Sequence, residues 1–328
     1  MSSINKLNNF LQILQNGHHV RIISHRNPDG DAIGSMLAFA HICEYYKLNY
    51  DIILIDPVPK NLLFIVENIN INYLNSTIID EIQNEQTDII AFLDCGQNDR
   101  AGSLCDYILP HQKIINIDHH MSNPLFGDFN CVLDISSTCE LLYNIIKKLN
   151  IPLTQKIATA IYVGILTDTG LFQYNKVTAQ THQVLAHLME FDIDHFKIYQ
   201  NIYQTHPISW IPLLKKGIEN LELFDNNTIA IMSFSYDDIS MAKDGFDDTH
   251  ILFPIMLSTK SIRVCAILKE KEDNMISVSL RSKDQINVAE IAQVFDGGGH
   301  IRAAGCRSSK YSLQEFKKNI YIEIKKHL

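Results

Sequence analysis

Short apolar runs alternate with longer, helix-like segments through the first 190 residues of the chain. The strand-like runs are residues 18–24, 51–55, 88–94 and 113–118. The segment after the first run carries apolar residues at helical spacing, namely Ile33, Met36, Leu37 and Ala40. Strands that alternate with helices predict a parallel sheet with both faces covered. Residues 1–190 are therefore expected to form a parallel α/β domain.

Local signals mark the ends of several helices in this region. Residues 1–17 predict an amphipathic helix that Ser2 or Ser3 could cap and Gly17 could end. Ser137 and Glu140 have the spacing of a capping box, in which each side chain accepts a hydrogen bond from the backbone of the other.

The pattern changes after residue 190. Residues 191–212 are aromatic and polar, and we interpret them as an inter-domain linker in which Trp210 packs. Beyond the linker, a helix is predicted over 213–224 and a strand over 228–235. Residues 262–268 and 275–280 predict a hairpin, and Asn287 with Glu290 predicts the cap of a short helix. Residues 213–328 are thus expected to form a smaller, mixed α/β domain.

Composition agrees with a two-domain globular protein. The chain has 328 residues, which is long for one core, with 46% hydrophobic and 20% charged residues. No apolar run approaches the ~20 residues of a membrane helix, so no membrane partner is expected. The formal net charge of −9 argues against a protein that grips long duplex DNA. Seven cysteines without a Cys-x-x-Cys pair predict reduced thiols in a cytoplasmic protein, and Cys95 is expected to pack in the core.

Carboxylates and imidazoles are concentrated where the apolar runs end. His25, Asp29 and Asp31 share one short turn after the first run. Asp94 follows the 88–94 run, and the next run ends in Asp118-His119-His120. Asp168 lies at the end of the helix-like segment that starts at Ile157. Each residue alone could be an ordinary cap or a core histidine, but ligands bind beyond the carboxyl ends of parallel strands. The coincidence favours one shared metal centre.

The chain resembles the DHH phosphoesterase family in these same residues, in the family's order and over essentially its whole length. The second half carries Gly297-Gly298-Gly299-His300 with Ala303-Ala304-Gly305, which is similar to the signature of the DHH-associated domain. Asp296 stands where many relatives have a fourth glycine. The arrangement looks most like the bacterial oligoribonucleases that also remove the 3′-phosphate of 3′-phosphoadenosine 5′-phosphate (PAP). The resemblance implies a nucleotide-fold-like parallel sheet and an active-site cleft between the domains.

The resemblance also implies a role for each site residue. His25, Asp29 and Asp94 would bind one divalent ion, whereas Asp31, Asp94, His119 and Asp168 would bind a second, with Asp94 bridging. Asp118 would orient a histidine, and His120 would contact the scissile phosphate. Carboxylate and imidazole ligands favour Mn²⁺, with Mg²⁺ or Co²⁺ as alternatives. The substrate's far end would be held by Arg281 and by the segment Gly297, Gly298, Gly299 and His300.

The expected function is metal-dependent hydrolysis of very short RNA to 5′-mononucleotides, removal of the 3′-phosphate of PAP, or both. Three alternatives remain open at this point: a cyclic-di-AMP or pApA phosphodiesterase, a manganese inorganic pyrophosphatase, and a nucleotide sensor without turnover. The glycine–histidine segment argues against the pyrophosphatase, whose second domain carries lysine and arginine phosphate clamps. A homodimer is a possible assembly.

Overall fold

The computed structural model describes residues 3–84, 87–240 and 249–328 of the chain. It divides into two compact units, Met1–Thr205 and His206–Leu328, each with its own sheet and core. The division falls inside the predicted linker, but much of that segment is not a connector. Residues His195–Tyr203 form a helix whose Ile198 and Ile202 are buried in the core of the first unit.

Within the described residues, the first unit contains a six-stranded sheet of order β3-β2-β1-β4-β5-β6, and every neighbouring pair is parallel. The strands are β1 (His19–Ile23), β2 (Asn49–Leu54), β3 (Asn72–Tyr73), β4 (Ile89–Leu93), β5 (Lys113–Asp118) and β6 (Phe129–Val132). The strand order reverses between β1 and β4, so their carboxyl ends flank the crevice in which open α/β sheets bind ligands. The predicted parallel α/β domain is confirmed.

Helices cover this sheet. They are α1 (Ser3–Asn16), α2 (Gly30–Tyr45), α3 (Ser76–Asn84), α4 (Thr138–Lys148), α5 (Gln155–Asp168), α6 (Ala179–Met189) and α7 (His195–Tyr203), with 3₁₀ segments at Lys60–Ile65 and Asn98–Tyr107. The N-terminal helix is present as predicted, and Phe10 and Leu14 bury its apolar side. It already includes Ser3, and Ser2 lies outside the described residues.

Helices α2 and α5 lie in unusually close contact because both carry glycine at the crossing. A Cβ atom at Gly34 would lie 2.5 Å from the carbonyl oxygen of Ala160. A Cβ atom at Gly164 would lie 2.2 Å from the Sγ atom of Cys139 and 3.0 Å from Oδ1 of Asp31. These distances are too short for any side chain, so the glycines permit the approach that places the end of α5 beside the start of α2.

The second unit is a mixed sheet of order β11-β12-β10-β9-β8-β7, in which only β8 and β9 are parallel among the described pairs. The strands are β7 (Leu221–Phe224), β8 (Ile229–Phe234), β9 (Val264–Glu270), β10 (Ile276–Ser282), β11 (Gly298–His300) and β12 (Ala303–Ser308). The predicted hairpin is confirmed as β9 and β10. The predicted mixed α/β class of this domain is confirmed as well.

The helices of the second unit are α8 (Trp210–Glu219), α9 (Tyr236–Ser240), α10 (Leu252–Ser258), α11 (Val288–Gln293) and α12 (Leu313–Lys326). The helix predicted over 213–224 is wrong in its second half, because Leu221–Phe224 pairs with β8 as a strand. Asn220 ends α8, and its side-chain amide donates to the carbonyl oxygen of Ser233. Trp210 packs as predicted, and its ring is stacked on His206 with centroids 4.5 Å apart.

Two expectations from composition can be compared with the structure. In the part of the chain that the structure describes, no helix combines the length and apolarity needed to cross a membrane. All seven cysteines lie within the described residues and are free thiols, five of them buried. Cys95 belongs to an apolar cluster on one face of the first sheet, and its thiol donates to the carbonyl oxygen of Gln97. It is therefore a packing residue, as predicted.

Candidate metal centre

The predicted metal ligands come together at the carboxyl edge of the first sheet. His25 and Asp29 lie in the turn between β1 and α2, Asp94 follows β4, and His119 follows β5. Asp168 is the last residue of α5. Because β1, β4 and β5 are neighbours in the sheet, their ends deliver side chains from distant parts of the sequence to one place.

The first group of potential ligands consists of His25, Asp29 and Asp94. The Nε2 atom of His25 lies 4.0 Å from Oδ1 of Asp29 and 3.6 Å from Oδ2 of Asp94. The Nδ1 atom of His25 faces the carbonyl oxygen of Arg26 at 2.8 Å. A carbonyl oxygen only accepts, so Nδ1 carries the proton and Nε2 has a free lone pair for a metal. Asp29 also caps α2, where its Oδ1 accepts from the backbone N–H groups of Asp31 and Ala32.

The second group consists of Asp31, His119 and Asp168. The Nε2 atom of His119 lies 4.0 Å from Oδ2 of Asp31 and 3.4 Å from Oδ2 of Asp168. Its Nδ1 atom donates to the carbonyl oxygen of Ile135 at 3.3 Å. As with His25, a backbone acceptor fixes the tautomer that leaves Nε2 available to a metal.

Asp94 lies between the two groups and turns one oxygen toward each. Its Oδ2 is 3.6 Å from His25, and its Oδ1 is 3.6 Å from Nε2 of His119. The residue has φ 55, a left-handed conformation that is uncommon for residues other than glycine. Its backbone N–H still bonds to the carbonyl oxygen of Ile117, and Thr138 Oγ1 donates to Oδ1. This geometry is what a carboxylate that bridges two metal ions requires.

The electrostatics of the cluster match a cation site. Burial and the neighbouring Asp31 raise the pKa of Asp94 well above its ordinary value and raise the pKa of Asp168 to about 7. Burial and Asp29 raise the pKa of Asp31 to about 6, although the backbone N–H groups of Cys139 and Thr138 oppose this. Burial lowers the pKa of His119, which favours its neutral, metal-binding form. Divalent cations would relieve the repulsion among these carboxylates.

The donor set also fits the kind of metal that was predicted. The groups found among the described residues contain carboxylate oxygens and imidazole nitrogens, and none contains a thiolate. Such ligands suit Mn²⁺ or Mg²⁺ better than structural zinc. The side-chain chemistry therefore supports a metal site at this position.

His120 and Asp118 form a separate pair beside the metal groups. The Nδ1 atom of His120 donates to Oδ1 of Asp118 at 2.7 Å, and Asn123 donates to Oδ2 at 2.7 Å. Burial alone would raise the pKa of Asp118, but the bonds from His120 and Asn123 outweigh it and lower the pKa. Nδ1 of His120 is also 3.8 Å from Oδ1 of Asp94, and Asp94, His119 and His120 form a third group of potential ligands. A metal at Nδ1 would have to displace Asp118.

Several contacts around the site were missed by sequence reasoning. The carboxylate of Asp31 accepts the backbone N–H groups of Thr138 and Cys139, so it also caps α4. Ser137 caps α4 as predicted by accepting the N–H of Glu140. The predicted capping box is nevertheless incomplete, because the buried Glu140 side chain accepts from Ser136 and Thr181 instead. A buried glutamate at a helix start has no local sequence signal that distinguishes it from a cap.

Lys176 is a cation near this otherwise acidic edge. Its Nζ atom lies 3.0 Å from Asp134 and 3.4 Å from the carbonyl oxygen of His119. Nothing in the spacing of the sequence placed it beside the histidines.

The predicted substrate-binding residues lie together in the second unit. Arg281 in β10 is opposite Ala303 in β12, and Ala303 is opposite His300 in β11. Directly opposed residues of antiparallel strands project from the same face, so Arg281 and His300 flank Ala303 on one face. The guanidinium carbon of Arg281 lies 5.0 Å from the ring centroid of Phe253, which orients the side chain by a cation–π contact.

The three glycines of this segment differ in how strongly their surroundings require glycine. A Cβ atom at Gly297 would lie 2.3 Å from the carbonyl oxygen of Gly305. Gly299 has φ 146, and its Cβ atom would lie 2.5 Å from the carbonyl oxygen of Ala303. At Gly298 nothing lies within 4 Å of a Cβ atom. The fold therefore accounts for Gly297 and Gly299, whereas packing within the described residues does not require glycine at Gly298.

Residues Gly298–His300 of this segment form the edge strand β11. The segment is preceded by Asp296, which has φ 57. Aspartate tolerates this left-handed conformation better than most residues. Asp296 therefore adopts a backbone conformation that glycine also adopts readily.

The chain matches two families of known domains. Residues 19–165 match the DHH family, N-terminal domain, and residues 247–326 match the DHHA1 domain. The chain is 25% identical over 311 residues to the bifunctional oligoribonuclease and PAP phosphatase NrnA of Thermus thermophilus, covering 94% of this chain and 90% of that protein. It is 31% identical over 213 residues to the probable bifunctional oligoribonuclease and PAP phosphatase NrnA of Streptococcus mutans. That match covers 65% of this chain and 67% of the Streptococcus protein.

One solved structure resembles the chain over nearly its whole length. The exopolyphosphatase-related protein from Bacteroides fragilis is 25% identical and has a TM-score of 0.91, with 99% of this chain and 98% of that chain covered. The similarity therefore extends over the whole chain.

Proposed function

The chain belongs to the DHH family of phosphoesterases, and from that premise we propose that it hydrolyses very short RNA to 5′-mononucleotides and removes the 3′-phosphate of PAP. The observation that carries the proposal is the convergence of the three potential ligand groups at one sheet edge. The likeness to a named oligoribonuclease and PAP phosphatase over 90% of that relative's length supports the substrate class.

We propose that the ligands divide between two divalent ions, most simply Mn²⁺. His25, Asp29 and Asp94 would hold one ion, and Asp31, Asp94, His119 and Asp168 the other, with Asp94 shared. A pair of such ions supplies, when bound, a nucleophile from water at neutral pH and neutralisation of charge on phosphate oxygens. The two backbone-anchored imidazoles keep their Nε2 atoms directed inward, and Thr138 holds the shared carboxylate.

His120 would act on the substrate itself. Its Nδ1 atom is engaged by Asp118, so Nε2 is the atom that would donate a proton to the leaving oxygen or bind the phosphate. Asp118 would stabilise the positive charge on the imidazole and fix its tautomer. His120 would then be a proton donor separate from the residues proposed to bind the two ions.

The substrate's far end would be bound by Arg281, Gly298, Gly299 and His300. Arginine offers planar, paired donors for phosphate, and the open backbone at Gly298 permits close approach. The formal net charge of −9 gives a long polynucleotide few cationic contacts. We therefore propose short RNA and phosphorylated mononucleotides as partners in the cytoplasm, and no long duplex DNA. The homodimer stays a prediction.

The test is a ranked set of substrates. Purified protein with Mn²⁺ is incubated with PAP, pApA, cyclic-di-AMP, pyrophosphate and RNAs of two to twenty nucleotides. We expect PAP and the shortest RNAs to be hydrolysed fastest, with rates that fall as the RNA lengthens.

Each alternative has its own outcome in the same assay. Preference for cyclic-di-AMP or pApA would identify the phosphodiesterase alternative. Dominant pyrophosphate hydrolysis would identify the pyrophosphatase, and nucleotide binding without turnover would identify a sensor. Equal rates on the shortest and longest RNAs would contradict the proposed length dependence.

A further inference from the structure

A small array of asparagines, two of them buried and one half-buried, lies behind Asp118. Asn116, Asn123 and Asn130 are linked through their side chains, with Asn116 Nδ2 2.9 Å from Oδ1 of Asn123 and 3.3 Å from Oδ1 of Asn130. Asn116 is fully buried, and Asn123 is 9% exposed. A buried amide normally pairs all its polar atoms, and here the pairs lead to the edge of the metal centre.

The orientation of the Asn123 amide is fixed by its own partners. Its Oδ1 accepts from Asn116 Nδ2 and from the backbone N–H of Leu125 at 2.8 Å. Two donors at one atom identify it as the oxygen, so the amide nitrogen is the atom that lies 2.7 Å from Oδ2 of Asp118. The backbone N–H of Asn123 also closes a turn on the carbonyl oxygen of His120 at 3.1 Å.

These contacts leave one oxygen of the Asp118 carboxylate to accept a hydrogen bond from His120. Asn123 occupies Oδ2, so Oδ1 is the atom that receives Nδ1–H of His120 at 2.7 Å. Gly96 leaves room for the histidine, since a Cβ atom added at Gly96 would lie 3.2 Å from Cβ of His120. The direction in which Nε2 of His120 points is therefore set by the sequence of contacts from Asn116 through Asn123 to Asp118.

We propose that Asn123 is a positioning residue, which fixes the Asp118 carboxylate so that His120 presents Nε2 to the leaving group. The inference rests on the proposed role of His120. The side chain of Asn123 bonds to Asp118 and to none of the atoms in the potential metal ligand groups. Its effect on the His120 ring would therefore pass through the Asp118 carboxylate.

The first test combines two substitutions. Asn123→Ala should lower kcat by about 10- to 100-fold, as is usual for partners that orient a site's side chains, with little change in KM or in Mn²⁺ affinity. In a His120→Ala background, Asn123→Ala should have no further effect on kcat, because residues that act as one unit are not additive. Asn123→Asp keeps the shape of the side chain but replaces the N–H donor to Asp118 with an oxygen, so kcat should fall in this variant as well.

Asn130→Ala is the matched control. Asn130 belongs to the same array but bonds to the backbone of Gly127 at both side-chain ends, so it should lower thermal stability while leaving kcat near that of the unmodified protein. A 10-fold loss of kcat on adding Asn123→Ala to His120→Ala would overturn the proposal. So would full activity of Asn123→Asp, or loss of Mn²⁺ from Asn123→Ala.

A measurement without turnover separates this inference from the proposed function. In protein labelled with ¹⁵N-histidine, the Nδ1–H proton of His120 should give a downfield resonance, identified by its absence in His120→Ala. We expect that resonance to move or broaden in Asn123→Ala and to stay in place in Asn130→Ala. An unchanged resonance in Asn123→Ala refutes the positioning role, even if the unmodified protein hydrolyses none of the nucleotides tested.

Discussion

The substitution Gly298→Ala should weaken ligand binding without lowering the stability of the fold. No atom lies within 4 Å of the Cβ that the substitution adds, and the residue does not have a positive φ. Replacing glycine by alanine at such a position usually stabilises a protein by about 0.4–1 kcal/mol, because the unfolded chain loses freedom. The midpoint of thermal unfolding of Gly298→Ala should therefore be unchanged or slightly higher.

Binding should move in the opposite direction. If substrate phosphate approaches the backbone at Gly298, the added methyl group blocks one contact of the hydrogen-bond class, worth about 0.5–1.5 kcal/mol. Since 1.4 kcal/mol is a factor of ten, KM for PAP should rise roughly 2- to 12-fold. Metal content and kcat should stay close to those of the unmodified protein.

Gly299→Ala is the matched comparison, because its φ of 146 and the 2.5 Å approach to Ala303 make alanine strained there. That variant should lose thermal stability by an amount typical of strained backbone, about 1–3 kcal/mol. The assays are differential scanning fluorimetry and steady-state kinetics on both variants. An unchanged KM in Gly298→Ala would refute the assignment of the open space to a ligand. A loss of stability equal to that of Gly299→Ala would refute the argument from packing.

Four further outcomes are expected. Asp94→Ala should abolish turnover and Mn²⁺ loading together, measured by assay and metal analysis, because one carboxylate serves both groups; retention of full metal content would contradict the bridging role. His120→Ala should keep its metal and lower kcat by roughly 10²–10⁴; loss of metal would instead make it a ligand. Arg281→Ala should raise KM for short nucleotides about 10- to 150-fold, from a charged hydrogen bond of about 1.5–3 kcal/mol. The control is Arg307→Ala, which removes an exposed arginine of β12 and should leave KM unchanged; equal effects would argue for general charge. Because the pKa of Asp168 is raised to about 7 and a carboxylate must lose its proton to bind metal, the rise in unfolding temperature caused by Mn²⁺ should be large at pH 8 and shrink toward pH 5; the reverse trend would count against the site.

The sequence by itself determined the elements whose cause is local. A run such as Ile89–Leu93 is apolar throughout and too short for a helix, so it had to be a buried strand. The position of Asp94 at its end follows from the same run. A short segment without a continuous apolar run is ambiguous. The apolar residues of Leu221–Phe224 fit both a helical and a strand period, and the sequence alone predicts a helix there. Pairing with β8 decided that segment.

What only the tertiary structure decided is which atom faces which. That Asp31 caps a helix more than a hundred residues away, through the N–H groups of Thr138 and Cys139, depends on the packing of α2 against α4. The side chain of the buried Glu140 accepts hydrogen bonds from Ser136 and Thr181 instead of from the predicted capping partner, because these two donors are buried beside it. The division of the two Asp94 oxygens between the two ligand groups is of the same kind. The position of these residues at strand ends follows from local periodicity. The distances between their atoms depend on how distant elements pack, and local sequence does not encode those distances.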